Sequence, residues 1–187
     1  QYQLSINKHL PTKQIEKDNG SAPYFTEYIR RKLEIIDEEL DINLYKDGIV
    51  VYTTLDSRIQ KALVDAFNSG MNKNQEILNK EFLNNPIKLE DAIGFTDYDL
   101  DSARNILAAK DTIPVSLRNQ LLVQGAGIVL DPVHGHILGM IGGREEDIYR
   151  DHFNRSTQAK RQPGSVFKPF IYLTALEQGY TTTTELL

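Results

Sequence analysis

The chain has no cysteine, which removes disulfides, thiolate metal sites and a cysteine nucleophile, and leaves its redox compartment open. It also has no apolar run of the ~18 residues that a membrane-crossing helix needs, and no charged-then-apolar signal segment at Gln1. Positive charge is in short supply: 21 Lys and Arg stand against 26 Asp and Glu, for a formal net charge of -5. With no dense basic stripe to meet a phosphate backbone, nucleic acid is not an expected partner. What is present, 187 residues at 40% hydrophobic and 25% charged, makes one ordinary domain, or a small module plus part of another. The start at Gln1 and the end at Glu185-Leu186-Leu187 lead us to expect a segment excised from a longer protein.

Residues 1–19 are polar, are broken by Pro11, and read as a connector. Ser21 and Pro23 open a helix in which Phe25, Tyr28, Ile29, Lys32, Leu33 and Ile36 fall three and four apart, to about Leu40. Asp47-Gly48 supplies a turn before a strand over 49–55, dense in Val, Tyr and Thr. Asp56 is placed to cap a second helix with the stripe Ile59, Ala62, Leu63, Ala66 and Phe67, which Gly70 is expected to end.

Residues 71–119 turn towards Asn, Asp, Lys and Glu, with Pro86 and Pro114 as breaks. The segment is too long for a bare loop, so a small helical excursion is expected, with short helices near 76–83 and 102–109. Residues 126–131 and 136–141 then predict a β-hairpin around Asp131-Pro132-Val133-His134-Gly135. Gly142-Gly143 reads as a strand terminator. A polar stretch from Arg144 to Gln162 leads to Pro163-Gly164 and a last helix, with Phe167, Phe170, Ile171 and Thr174 on one face and Gly179 as its stop. The class predicted is α+β, with no internal repeat.

One pattern carries chemistry. Ser165 and Lys168 stand three apart at the start of the last helix, on one face, so the lysine can reach the serine hydroxyl while first-turn N–H groups favour negative charge nearby. The spacing alone is weak, because Ser5-Ile6-Asn7-Lys8 has it too, in a polar connector with no apolar face behind it. The structural alternatives are a helix N-cap for Ser165 and a solvated side chain for Lys168. Pro169 has no N–H to give the Ser165 carbonyl, so the first turn is expected to be distorted there. Phe167 and Phe170 are expected to supply the apolar surroundings that would push the Lys168 ammonium towards its neutral form. His134 and His136 read as turn residues rather than a metal pair, because no further His or Cys stands near them. Glu145, Glu146 and Asp147 read as a solvated loop. No metal or cofactor is expected.

Several blocks occur in order: Gly125 to Pro132, Gly139 to Arg144, Phe153 to Ala159, and Arg161-Gln162-Pro163-Gly164-Ser165-Val166-Phe167-Lys168-Pro169-Phe170. Together they resemble the opening of the transpeptidase domain of bifunctional (class A) penicillin-binding proteins. Upstream, Ala22 to Tyr28 and Val51 to Asp56 are similar to the segment that follows the glycosyltransferase domain in that family. The resemblance covers roughly two thirds of the chain, and residues 71–119 lie outside it as an insertion.

The resemblance implies a division into 1–48, a connector and helix after a glycosyltransferase domain; 49–124, a linker with a helical insertion; and 125–187, the N-terminal portion of a penicillin-binding protein/β-lactamase-like fold. It implies Ser165 as the acyl-accepting nucleophile and Lys168 as its proton-transfer partner. The implied substrate is the D-Ala-D-Ala end of a peptidoglycan stem peptide, with β-lactam antibiotics as inhibitors and cell-wall assembly proteins as partners. The implied location is the extracytoplasmic face, in a parent anchored in the cytoplasmic membrane. The family also needs a downstream Ser-x-Asn and a Lys-Thr/Ser-Gly, and neither follows Lys168. Ser5-Ile6-Asn7 and Lys46-Asp47-Gly48 match loosely but precede it, so the isolated chain is expected to be catalytically silent. Two rivals are a non-catalytic scaffolding segment and a hydrolase, carboxypeptidase or β-lactamase, with water as acceptor.

Overall fold

The computed structural model describes residues 4–5, 20–40, 43, 46–109, 112–144 and 153–185, with the side chains of 4–5 and 36–40 excepted. The acidic run at 145–147, Lys8 and most of the connector lie outside these residues. The mixture of helices with antiparallel strand pairs is α+β.

Two short strands, β1 (Leu4–Ser5) and β2 (Val50–Val51), pair antiparallel. Ser5 of the second Ser-x-x-Lys pattern is thus a strand residue rather than plain connector. The strand expected over 49–55 shrinks to Val50–Val51, because the extended residues after it form no ladder with another strand among the described residues. Between β1 and β2 runs helix α1 (Pro23–Leu40), with Pro23 in its first turn, where a missing N–H costs nothing. Among its described side chains the buried ones are Tyr24 and Phe25, with Ala22 just ahead of it. Tyr24 was not part of the expected stripe.

Helix α2 (Ser57–Asn84) begins at Asp56, whose carboxylate accepts from the Arg58 and Ile59 N–H groups at 2.9 and 3.4 Å. It does not stop at Gly70 as the sequence reading expected. A mid-helix glycine costs about 1 kcal/mol, and the helix continues because Leu78, Phe82 and Leu83 beyond it join a second core. Asn85 ends α2, its N–H reaching the carbonyls of Glu81 and Phe82, and its side chain caps α3 (Pro86–Ile93) by accepting from Lys88 N–H. Pro86 is therefore a helix start rather than only a break.

Helix α4 (Leu100–Ala109), a 3-10 turn at Val115–Leu117 and the short α5 (Arg118–Leu121) complete this helical region. Its core holds Leu89, Ala103, Leu107, Leu117 and Leu121, all nearly inaccessible to water. Residues 71–119 thus form a helical unit with an apolar centre of its own.

Strands β3 (Gly127–Leu130) and β4 (Ile137–Ile141) form an antiparallel hairpin, with an irregularity between Val129 and Leu130. β4 reads Ile-Leu-Gly-Met-Ile because both its faces are covered. Met140 packs with Ala22 and Phe25 of the α1 region, while Ile141 packs with Tyr24 and Phe67. The stripe expected on α2 shifts accordingly: Ala62 and Ala66 are exposed, and Gln60 and Phe67 are buried.

The edge of β4 away from β3 is satisfied residue by residue without a strand. The Asp56 N–H donates to the Leu138 carbonyl at 3.0 Å and the Arg155 N–H to the Gly142 carbonyl at 2.8 Å. Between them the Gln60 amide takes both groups of Met140, accepting from its N–H at 2.8 Å and donating to its carbonyl at 3.1 Å. Gln75, farther along α2, repeats the device by accepting from Val123 N–H and donating to the Leu121 carbonyl, both at 2.8 Å. Two glutamines thus lock one helix to the chain that enters and forms the hairpin.

Candidate active site around Ser165 and Lys168

The polar stretch ahead of the site is anchored by Asn154, which is 6% exposed. Its N–H donates to Gln158 Oε1 at 2.7 Å and its Oδ1 accepts from the N–H and hydroxyl of Ser156. Its Nδ2 lies 3.3 Å from Met140 Sδ. Gly142 and Gly143 are what admit this residue. A Cβ at Gly142 would stand 2.3 Å from Asn154 Oδ1 and 2.6 Å from the Tyr24 ring, and one at Gly143 2.7 Å from the Tyr24 hydroxyl oxygen. The pair is therefore a packing requirement rather than a strand terminator alone. The Tyr24 hydroxyl donates to the Arg144 carbonyl at 2.8 Å and fixes the exit of β4.

From this anchor the backbone reaches Pro163 and Gly164, the latter at φ +53°, and turns into a 3-10 segment, Gly164–Phe167. Helix α6 (Lys168–Glu177) follows directly. The sequence dictates the tight first turn. In an α-helix the Ser165 carbonyl would accept from residue 169, but Pro169 has no N–H. Instead the Lys168 N–H takes the Ser165 carbonyl, one residue closer, in the 3-10 pattern. The distortion expected from Pro169 is this turn.

Ser165 is not a helix cap. Pro163 and Phe167 hold the capping positions of the two segments, neither with a side-chain bond. The first hydrogen bond of the turn runs from Val166 N–H to the Pro163 carbonyl at 3.2 Å, so the Ser165 N–H belongs to the leading donors with no partner inside the helix.

The turn sets Ser165 and Lys168 one 3-10 turn apart, but no hydrogen bond joins their side chains. The desolvation expected around Lys168 is not in place. Phe167 and Phe170 pack on each other, with ring centroids 5.7 Å apart, and remain 51% and 62% exposed. Every side chain from Lys160 to Glu185 except Ala175 is exposed.

Helix α6 is apolar around its circumference: Phe170, Ile171, Tyr172, Leu173 and Leu176 are each half-exposed or more. A helix apolar on all sides is built to be surrounded. Its C-terminus is closed by Gly179 at φ +90°, with its N–H on the Leu176 carbonyl and the Tyr180 N–H on the Ala175 carbonyl, each at 3.1 Å. A cleft of about 570 Å³ lies elsewhere, between α2 and α4.

Sequence reasoning set aside the hairpin turn, and there the structure gathers groups. Asp131, His134 and His136 offer ligand atoms within 4.8 Å of one another. The sequence reading weighed only further His or Cys beside the two histidines, and Asp131 stands outside that pair.

Residues 125–187, which contain the hairpin, the Asn154 anchor and the Ser165 turn, match the family described as penicillin binding protein transpeptidase domain. The resemblance of this segment to penicillin-binding proteins is thereby shown. Among similar proteins, penicillin-binding protein 2D of Bacillus subtilis (strain 168) is 27% identical over 176 residues, 92% of this chain and 18% of that protein. Penicillin-binding protein 1A of Neisseria lactamica is 49% identical over 63 residues, 34% of this chain and 8% of the relative. Penicillin-binding protein 1A of Rickettsia bellii (strain RML369-C) is 42% identical over 88 residues, 43% of this chain and 11% of the relative. The chain thus spans less than a fifth of the length of each of these relatives. No solved structure matches it. Among the described residues no helix is long and apolar enough to cross a membrane.

Proposed function

We propose that this chain is a segment of a bifunctional, class A penicillin-binding protein, in which Ser165 is the nucleophile of a D,D-transpeptidase and Lys168 its proton-transfer partner. The observation that carries the reading is a coincidence of position. The transpeptidase match over 125–187 contains the turn in which a serine N–H is left without a helical partner and a lysine follows one turn on.

Ser165 Oγ attacks the carbonyl between the last two D-alanines of a stem peptide and loses its proton to Lys168. The C–N bond then breaks and the proton passes to the departing D-alanine. An amine of a neighbouring stem attacks the acyl-serine, releasing Ser165 and closing the cross-link. The Ser165 N–H is one donor to the oxyanion, where a preorganised hydrogen bond is worth several kcal/mol. A β-lactam acylates the same oxygen.

The apolar circumference of α6 supports a further step. Lys168 serves as a base only when neutral, which requires desolvation, and the exposed Phe167 and Phe170 supply little of it here. On this proposal, parts of the parent outside these 187 residues cover α6 and bring the Ser-x-Asn and Lys-Thr/Ser-Gly groups to Ser165. In this reading 1–48 follows a glycosyltransferase domain, 49–124 is a linker with the helical insertion, and 125–187 opens the transpeptidase. The parent works outside the cytoplasm, held by a membrane helix and accompanied by cell-wall assembly proteins.

Labelling the full-length parent with a fluorescent penicillin, followed by digestion, tests the assignment. Label on the Ser165 peptide that disappears in Ser165→Ala is expected, whereas an unlabelled parent would leave the segment as a non-catalytic scaffold and sink the enzymatic reading. The 187-residue chain alone is expected to stay unlabelled, and robust labelling of it would refute the requirement for further groups.

A further inference from the structure

We propose that the turn of the β3–β4 hairpin is a binding site for a divalent late transition-metal ion, zinc by chemistry, held by the Asp131 carboxylate and one ring nitrogen each of His134 and His136. The turn is built around Asp131. Its N–H donates to the His136 carbonyl and its own carbonyl accepts from the Gly135 N–H, both at 2.8 Å. Its Oδ1 accepts from the Val133 N–H at 3.0 Å. Gly135 at φ +70° makes the reversal that returns the chain beside its start.

The turn leaves the side chains at 134 and 136, two residues apart, side by side. The two imidazoles stack with centroids 5.3 Å apart and 17° between planes, and Asp131 Oδ2 lies 2.6 Å from His134 Nδ1.

Zinc takes nitrogen and oxygen ligands at about 2.0–2.2 Å, so two ligands of a tetrahedral ion stand roughly 3.4 Å apart. The present separations, 2.6 Å for one pair and up to 4.8 Å across the group, bracket that value. Both histidines are exposed while the backbone that carries them is tied, so closure needs the ion to replace the Asp131–His134 hydrogen bond, with small side-chain rotations and no change of fold. Two imidazoles and one carboxylate suit Zn²⁺, Ni²⁺ or Cu²⁺ rather than Mg²⁺ or Ca²⁺, which prefer oxygen alone. Three protein ligands leave the fourth position to water.

The chain has no cysteine to compete, and only two other histidines, His9 and His152. The test is zinc titrated into the 187-residue chain against a chromophoric chelator. Stoichiometric binding is expected, unaffected by excess Mg²⁺. It should weaken at least about tenfold in His134→Ala and in His136→Ala, since even the loss of a group that only orients a ligand costs 10- to 100-fold. The double variant His9→Ala/His152→Ala should bind as the unaltered chain does. Circular dichroism of each variant checks that the fold is kept. Absence of stoichiometric binding, its survival in His134→Ala/His136→Ala, its loss in the His9/His152 variant, or displacement by Mg²⁺ would each overturn the site.

Discussion

Replacing Gln60 by methionine keeps the length, the volume and most of the helix propensity of the side chain and removes only its amide. Gln60 is 1% exposed, and its amide is the partner of both the N–H and the carbonyl of Met140, on a strand edge that no other strand covers among the described residues. Each buried backbone group left without a partner costs about 1–3 kcal/mol. Two such groups would cost roughly 2–6 kcal/mol, offset in part by burying a thioether in place of an amide, so Gln60→Met should destabilise the hairpin core by about 2–4 kcal/mol. Native-state hydrogen exchange reads this directly at the Met140 amide. Protection there should fall about 30- to 1000-fold, at roughly tenfold per 1.4 kcal/mol. Amides in the separate core around Leu89 and Leu117 should change far less. If Met140 keeps its protection within about twofold, the glutamine is not the strand's partner in solution and the account of the covered edge fails.

The glycines should divide by what surrounds them. Gly142→Ala puts a methyl 2.3 Å from Asn154 Oδ1 and should cost at least about 1–3 kcal/mol, while Gly70→Ala, in a helix interior with nothing within 4 Å, should gain roughly 0.5–1 kcal/mol; thermal melts that rank them otherwise would contradict the packing. Leu117→Ala removes a side chain with no exposure and should cost about 2–5 kcal/mol, loosening exchange across α3 and α4 while Met140 stays protected. The Glu27 carboxyl is held down to about 2, chiefly by its hydrogen bond to Arg30 and further by Arg31. A carboxyl depressed in the folded state stabilises above its ordinary value of 4.5 and loses that contribution as pH falls towards 2. Denaturant midpoints measured across that window should therefore drop more steeply for the unaltered chain than for Glu27→Gln, and parallel curves would remove Glu27 from the acid response.

What the residues disclosed, and what they concealed, follows the range of the interactions involved. Asp56 capping α2, the opening of α1 at Pro23 and the stop at Gly179 are local arrangements, readable because each depends on a few neighbouring residues. The passage of α2 through Gly70 was not readable in this way. It is decided by Phe82 meeting Leu89 and Leu117, residues with no helical relation to the glycine. Gln60 was hidden for the opposite reason, since a polar residue on an apolar stripe looks like an interruption until the strand it serves is in place 80 residues away.

The site shows the same division. Ser165, Lys168 and the tight turn before Pro169 form a local unit, and the chain alone specifies them. Covering α6 and desolvating Lys168 are long-range events. The Ser165 segment therefore has its tight backbone turn while its side chains remain in water, because geometry here is set by Gly164 and Pro169, whereas the proposed reactivity would depend on what surrounds Phe167 and Phe170. A substitution at Pro169 that restores the missing N–H should for that reason alter the turn even in this chain, whereas one at Phe170 should act only where α6 is covered.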